Sequence, residues 1–364
     1  MQYRRLGRTN LQVSVLGLGA GYLSVVDRDL GTALFERALA AGVNYIDGRY
    51  GDSNEKLAPV IKGRRSEVVI ASKTNDQTGD GARRRIEEDL RDLDTDYIDV
   101  YQVRAYTHDM LAGHLAPGGS VEALEKAKSE GLIRAIGVTG HSSMPVLTDA
   151  IKTGRIDTVL FPLNILQDEA WASLIPTARA MDVGLVIMKP LATGIIPTEL
   201  ALRWLFAQPI STAVPGVTTM EQLEANLAVA EMSDWTLSPA EMAEVLRIRA
   251  EQEGRICRGC DDVCGPFPVE GVSHVSFLIF QGVSLNHLRN FGTDSFRQHR
   301  WASADYEHMV QGFRKHLADT RGLLKAGMKD VEARCPYGVR VTELLEEQEG
   351  RLEEFLTVVG SAAR

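Results

Sequence analysis

NYIDGRYGDSNEKLAPVIKGRRSEVVIASK (residues 44–73) holds one full period of the pattern that organises most of this chain. A short apolar run, NYID, gives way to a polar segment of helical spacing and then to a second apolar run, VVIASK, which ends on a lysine. The rhythm continues in both directions. Upstream lies VSVLGLG (13–19), and downstream follow YIDVYQVR (97–104), IRAIGVTG (133–140), DTVLFPLNIL (157–166), VGLVIMKPL (183–191) and ISTAVPG (210–216). None of these runs alternates strictly between apolar and polar residues, which predicts strands buried on both faces. Between them sit amphipathic segments such as RDLGTALFERALAAGV (28–43), where Leu30, Ala33, Leu34, Ala38 and Ala41 share a face and Gly42 closes the helix. The count is eight strand-helix units. The expected fold class is therefore α/β, a (β/α)8 TIM barrel with its active site at the carboxyl ends of the strands. A doubly wound sheet is the alternative, but Gly17, Gly19 and Gly21 give G-x-G-x-G rather than its usual fingerprint, and residues 23–27 open no clear helix.

The length of 364 residues suits a barrel of about 250 residues with a module appended, so the expected domains are 1–250 and 251–364. Past LSPAEMAEVLRIRAEQEG (237–254) the strand-helix rhythm stops, and FRKHLADTRGLLKAGMKDVEA (313–333) and TELLEEQEGRLEEFLTVV (342–359) predict a mostly helical tail. All four cysteines fall there, three in ICRGCDDVCGPFPVEGV (256–272) and one in ARCPYGV (333–339). Thiolates are soft ligands, and ferredoxin-type clusters use a C-x2-C-x2-C-x3-C-P run. Here the third cysteine comes one place late, and Phe267-Pro268 stands where Cys-Pro belongs. In two-cluster ferredoxins the fourth cysteine of one run serves the other run's cluster, so Cys335-Pro336 reads as the remnant of a second run. One [4Fe-4S] cluster on Cys257, Cys260, Cys264 and Cys335 is expected, with a four-cysteine zinc site or two disulfides as alternatives.

Apolar residues make up 44% of the chain and charged residues 24%, the balance of a soluble globular protein, and no apolar run approaches the roughly 18 residues of a membrane span. Thr9, Gln12 and Ser14 interrupt the start, and no small-residue cleavage site follows, so it reads as mature sequence. Thiols suited to metal point to a reducing cytoplasm. A net charge of −9 without a basic block argues against nucleic acid as the main partner.

At the ends of the expected strands stand Asp47 and Tyr50, Lys73, and Arg104. An ammonium beside a phenol favours the phenolate, and a carboxylate keeps the lysine charged, an arrangement suited to general acid catalysis of carbonyl reduction. Taken singly, Asp47 would serve as a helix cap, Lys73 as a surface residue and Tyr50 as a half-buried aromatic. At successive strand ends they make a constellation. AVPGVTTMEQLEANLAVAE (213–231) places a Pro-Gly turn before a helix whose first N–H groups suit a phosphate. In YTHDMLAGHLAPGG (106–119), His108 and His114 read as exposed residues of a loop over the mouth. His141 reads as a satisfied loop histidine, with substrate contact as the other reading.

IDGRYGDSNEKL, VIASK, DYIDVYQVR, IRAIGVTGHSS, VIMKPLATG, LALRWLFAQPISTAVPGVTTMEQLEANL and the closing cysteines together resemble the aldo-keto reductase superfamily, in particular its branch with a C-terminal ferredoxin-like 4Fe-4S extension. The resemblance implies a barrel that binds NAD(P)H in an extended pose and a catalytic Asp, Tyr, Lys and His. Asp47 and Lys73 match directly. Tyr50 matches by the Gly-Asp-Ser that follows, although the family's D-T-A-x-x-Y spacing is two residues shorter here. Arg104 stands at the family's histidine position. Arginine stays charged and cannot relay a proton, so Arg104 would stabilise a developing alkoxide, favour the phenolate of Tyr50 or grip a substrate carboxylate. The opposing reading pairs Arg104 with Asp47 or Asp109 and takes the chemistry as lost.

By the same resemblance, Pro215, Gly216, Val217 and Thr218 line the diphosphate and adenosine end, Gln222 and Asn226 reach the adenine, and Met188, Lys189, Pro190 and Leu191 flank the nicotinamide and phosphates. Thr139 replaces the usual serine near the carboxamide and Gly140 the usual asparagine. No cation follows Val217, which leaves NAD and NADP both open. The expected function is an NAD(P)-dependent oxidoreductase acting on a small carbonyl or alcohol, with a redox partner or a second copy of the chain as further partners. The alternative is a nucleotide-binding barrel with lost or non-redox chemistry.

Overall fold

The computed structural model describes residues 1–24, 26–48, 51–141, 144–264, 269 and 306–362. They form two compact units, Met1–Val245 and Leu246–Arg364.

The first unit opens with an antiparallel hairpin of β1 (Tyr3–Arg5) and β2 (Gln12–Ser14). Eight parallel strands follow: β3 (Leu18–Gly19), β4 (Tyr45–Asp47), β5 (Val69–Thr74), β6 (Ile98–Arg104), β7 (Ile133–Thr139), β8 (Thr158–Pro162), β9 (Gly184–Met188) and β10 (Thr212–Ala213). Each pairs with its sequence neighbour, and parallel bridges Leu16↔Ala213 and Gly19↔Gly216 join first to last. The sheet is a closed barrel, as the repeated strand-helix rhythm predicts. Its outer layer comprises α1 (Arg28–Ala40), α2 (Ser53–Ile61), α3 (Gly79–Asp92), α4 (His108–Leu115), α5 (Ser120–Ser129), α6 (Met144–Lys152), α7 (Leu174–Ala180), α8 (Thr198–Phe206) and α9 (Met220–Ala230).

Strands β5, β8 and β9 are buried at every position, which is why their sequences run apolar instead of alternating. One set of alternate residues packs under the helices. The other set, with Tyr45, Ala71, Val100, Ala135, Leu160, Val186 and Val214, fills the interior, sealed at the amino end by Leu6 and Val13 of the hairpin. A step of two residues along the same face leads from Tyr45 to Asp47, from Ala71 to Lys73, from Val100 to Gln102 and Arg104, and from Ala135 to Gly137 and Thr139. The ladder registers Lys73↔Gln102, Gln102↔Gly137 and Arg104↔Thr139 bring these polar residues to the carboxyl end together.

Helix α1 shows where periodicity alone misplaces a face. Its buried stripe is Gly31, Leu34, Phe35, Ala38 and Leu39, rotated from the expected one, with Leu30, Ala33 and Ala41 only half-buried. Gly31 faces Lys56 of α2: a Cβ there would come within 2.7 Å of the lysine side chain, and the glycine leaves room for it. The buried Lys56 ammonium donates to the carbonyls of Leu23 and Val26, both at 2.8 Å, and pairs with Asp52 at 2.8 Å. This ties the chain leaving β3 to α2.

Leu246–Arg364 has its own core. Helix α10 (Pro239–Glu251) carries the boundary, followed by α11 (Asp261–Cys264) and the helices Tyr306–Ala326, Lys329–Arg334 and Val341–Ala362. Leu323, Met328, Val331, Val339, Val341, Leu344 and Leu345 pack with Cys257 and Cys264. Arg255 reaches Glu343 at 2.8 Å and Glu347 at 2.6 Å, and the Arg340 N–H donates to the Gly254 carbonyl at 2.9 Å. No strand occurs among the described residues of this unit, and no described helix of the chain is long and apolar enough to cross a membrane.

Asp99 shows what stabilises the amino end of the barrel. Buried in β6, its carboxylate accepts from Arg65 and Arg134, both at 2.8 Å, and from the Ile70 N–H of the neighbouring strand at 3.0 Å. Asp99→Leu should lower the urea midpoint at unchanged slope, the orphaned N–H alone costing roughly 1–3 kcal/mol. Equilibrium denaturation followed by circular dichroism checks this.

Candidate active site

At the carboxyl end of the barrel, Lys73 Nζ lies 2.8 Å from Asp47 Oδ1 and 2.6 Å from Oδ2, with Lys73 2% and Asp47 4% exposed. Asp47 is thus a strand-end ion-pair partner and not a helix cap, since α2 begins six residues later. Lys73 is buried instead of lying on the surface. Gln102 Nε2 donates a third hydrogen bond to Asp47 Oδ1 at 3.3 Å. Sequence reasoning passed over Gln102, although its place two residues before Arg104 on one strand puts both on the same face. Its side chain fits because β7 has Gly137 opposite, where a Cβ would come 2.7 Å from Gln102 Cγ. Tyr50 lies outside the described residues.

Arg104 ends β6 half-buried, with Nη1 donating to Asn75 Oδ1 at 3.3 Å. Its carbonyl is held by His114, whose Nε2 lies 2.9 Å away, while Nδ1 sits 2.6 Å from Ser120 Oγ. A carbonyl has no hydrogen to give, so Nε2–H donates and Nδ1 accepts from the serine hydroxyl. His114 is fully buried, which corrects its reading as an exposed loop residue. The loop folds into α4, and Leu111 and His114, three residues apart, share the inward face. That spacing was the available signal. Burial lowers the proton affinity of His114. His108 is exposed, 3.4 Å from Asp149, and His141 is half-buried with its ring 6.1 Å from that of Tyr106.

The remaining expected residues ring the same end. Thr139 is buried at the end of β7, facing inward like Gly137. Met188 ends β9 in the interior, and Lys189 turns into the left-handed region (φ 53), half-buried, its carbonyl accepting from Asn164 Nδ2 at 3.0 Å. Pro190 is buried and Leu191 half-buried, and the chain visits the left-handed region again at Ala192 (φ 46) and Thr193 (φ 59). Beyond β10, Pro215 and Val217 are buried while Gly216 between them is exposed. Thr219 caps α9, accepting from the Gln222 N–H at 3.3 Å. Gln222 turns back, its Oε1 accepting from the Thr218 N–H at 2.8 Å. Asn226 is buried one turn further along α9.

A family model described as the aldo/keto reductase family matches residues 15–198. The chain belongs to the aldo/keto reductase family. It is an oxidoreductase of that type. Among its relatives, L-galactose dehydrogenase of Arabidopsis thaliana is 26% identical over 301 residues, covering 67% of this chain and 93% of that protein. A solved aldo-keto reductase from Bacillus halodurans in its holo form shares the fold with a TM-score of 0.60 at 24% identity, covering 68% of this chain and 96% of the other. An aldo/keto reductase from Klebsiella pneumoniae, solved in complex with NADP and acetate, shares it with a TM-score of 0.57 at 23% identity, covering 68% and 95%.

This aldo/keto reductase keeps its cysteines in the unit that follows the barrel. Cys257 and Cys264 are buried and Cys260 and Cys335 half-buried; no disulfide joins any of the four, so that alternative is not realised in the structure. Burial pushes the Cys257 thiol up to about 12, and the other three cysteines add to the rise electrostatically. Backbone N–H groups of Gly259 and Val339 donate to the sulfurs of Cys257 at 3.3 Å and Cys335 at 3.4 Å. Among the described residues, no three His, Cys, Asp or Glu side chains are gathered as ligands of a metal ion.

The buried His114 gives the barrel a pH dependence. Its proton affinity is lower folded than unfolded, so below the unfolded pKa of about 6.5 the unfolded chain takes up a proton that the folded chain refuses, and stability falls with pH. Above that value both states are neutral and nothing is lost. Melting temperatures of the wild type and His114→Gln between pH 7.5 and 5 should converge, with the wild type showing the steeper decline.

Proposed function

We propose that this aldo/keto reductase interconverts a small carbonyl compound and its alcohol with NAD(P)H, using Tyr50 as proton donor, Lys73 and Asp47 as its electrostatic support, and Arg104 to orient the substrate. The observation that carries the reading is the buried Lys73–Asp47 pair, braced by Gln102, at the ends of three adjacent strands. Two charges taken out of water are costly, and a pair with nearly matched contacts to both carboxylate oxygens recovers much of that cost. A surface-type salt bridge elsewhere would stabilise the fold more cheaply, so a buried pair at the mouth of a barrel points to chemistry.

The exposed backbone at Gly216, the positive N-terminal end of α9 and the Lys189 ammonium suit a diphosphate, which a helix dipole and a point charge both favour. The Klebsiella pneumoniae relative's NADP supports that class of ligand. When bound, the nicotinamide supplies a hydride to the carbonyl carbon, or accepts one from the alcohol. Tyr50 would give its hydroxyl proton to the carbonyl oxygen in the reductive direction, and the Lys73 ammonium would offset the phenolate left behind, as the family resemblance implies. Arg104 cannot relay a proton; its planar fork suits a carboxylate or an oxygen-rich substrate.

The same arginine favours a second reading, a nucleotide-binding barrel with lost or non-redox chemistry. Nicotinamide absorbance followed across a panel of aldehydes, ketones and oxo acids separates the two. In the catalytic case, Arg104→Lys should raise KM about tenfold for carboxylate-bearing substrates with kcat little changed, and Arg104→His should broaden turnover toward neutral carbonyls. Unchanged turnover and preference in Arg104→Ala would remove the arginine from the mechanism.

For the helical unit, Cys257, Cys260, Cys264 and Cys335 would hold one [4Fe-4S] cluster, with zinc the alternative. Cys257, Cys264 and Cys335 share one core, Cys260 acts electrostatically on Cys257, and two of the sulfurs already receive backbone N–H groups, a donor chemistry that suits an iron–sulfur cluster. Bound metal would join the segment before α11 to the one before Val341–Ala362, so its binding energy is also folding energy. Anaerobically purified protein should contain about four iron atoms per chain and a visible absorption that bleaches with dithionite, and Cys335→Ser should release the iron. Zinc without iron excludes the cluster.

A further inference from the structure

Gly216 has no conformational reason to be glycine. Its φ is not in the left-handed region, its backbone is exposed, and a side chain on most exposed turns projects harmlessly into solvent. What forbids a side chain is Tyr22. A Cβ built on Gly216 comes 2.3 Å from Tyr22 Cδ2 and 2.9 Å from Cε2, closer than real carbon contacts. The ring therefore lies directly on this turn. The placement follows from the closure of the barrel: the bridge Gly19↔Gly216 and the Gly19 N–H to Pro215 carbonyl bond at 3.0 Å set the exit of β3 beside the exit of β10. A 3₁₀ turn at Tyr22–Ser24 then carries the chain over the rim. Lys56 fixes that turn from beneath through the carbonyls of Leu23 and Val26, so the backbone bearing the ring is held in place.

We propose that Tyr22 is a nucleotide-holding residue, its ring covering the Gly216 turn so that phosphate oxygens meet the exposed Gly216 backbone under an apolar shield. The proposal rests on the reading that residues 215–219 hold the diphosphate. Hydrogen bonds to a phosphate weaken when water competes for the same donors, and a ring on one side of the turn removes part of that competition. It also reassigns the glycine. Gly216 is small to admit the ring, and the phosphate gains from the ring rather than from the missing side chain. Tyr22 has no part in the hydride or proton transfer; it positions and shields the cofactor's central phosphates.

A double-mutant cycle read by NADPH and NADH fluorescence titration tests this, with wild type, Tyr22→Ala, Gly216→Ala and the double variant. Tyr22→Ala and Gly216→Ala should each weaken binding about tenfold, while in the Tyr22→Ala background Gly216→Ala should change it less than about twofold, the signature of two residues acting through one contact. Tyr22→Phe should bind within about twofold of wild type, because the ring does the shielding. Melting temperatures of the nucleotide-free proteins read the same cycle independently of binding and identify any variant that fails to fold. Equal losses from Gly216→Ala in both backgrounds, wild-type affinity in Tyr22→Ala, or a loss in Tyr22→Phe as large as in Tyr22→Ala would each overturn the assignment. A wild-type protein that binds neither nucleotide overturns the parent reading and this one together. A wild-type protein that binds while the two substitutions act independently overturns this one alone.

Discussion

A lysine ammonium and an aspartate carboxylate can both be withdrawn from water only when each replaces the other's lost solvent. The mouth of this barrel is built around that requirement. Lys73 meets both oxygens of Asp47, Gln102 supplies a further donor, and the missing side chain of Gly137 leaves room for Gln102. The three polar residues sit on adjacent strands because the two-residue period of a strand keeps one face inward, and because parallel registry brings Lys73 beside Gln102 and Gln102 beside Gly137. Below them the same face is apolar, with Tyr45, Ala71, Val100 and Ala135. The polarity changes along the axis of the barrel, and the charged pair is held where dry interior ends.

What could be read in the sequence follows from which forces are local. Apolar runs such as VVIAS and VLF fix strands because backbone groups buried on both faces must pair with neighbouring strands, and the recurrence of helix-length gaps fixes the parallel connection. Asp47 and Lys73 were legible for the same reason: each terminates a run. Helix faces were less secure, since α1 turns Gly31 and Phe35 inward, with Gly31 against Lys56, a partner that periodicity does not show. His114 and Gln102 escaped because their importance comes from contacts far along the chain, to Arg104 and Asp47, which no single segment displays. The closeness of Tyr22 to Gly216, residues at opposite ends of the barrel sequence, was hidden likewise.

Arg104 is set in a framework that holds it firmly. Its carbonyl is bonded by the neutral, buried His114, which is itself oriented by Ser120, and its guanidinium reaches Asn75 on the neighbouring connection. A histidine at position 104 would present a ring that can gain or lose a proton near neutrality, whereas the arginine presents a permanent charge with a fork of donors. The Lys73–Asp47 pair is formed at the same end of the barrel as this arginine. Membership in the family therefore settles the scaffold and the class of enzyme, while the part Arg104 plays in the pocket belongs to the function proposed above.

The hairpin that seals the amino end has a consequence for how the chain is made. Leu6 and Val13 are synthesised before every barrel strand, yet the interior they fill is completed by Leu160, Val186 and Val214. Arg4 docks on carbonyls at Phe206 and Ile210, across sequence separations of 202 and 206, and Arg8 on Asp157 across 149. No early local contact can satisfy these groups, so the plug remains unplaced until the last strands emerge, and the entropy of closing so long a loop falls on the final step. During synthesis the nascent barrel thus exposes an apolar interior at its lower end, the form in which unfinished chains are most prone to associate or to need a chaperone.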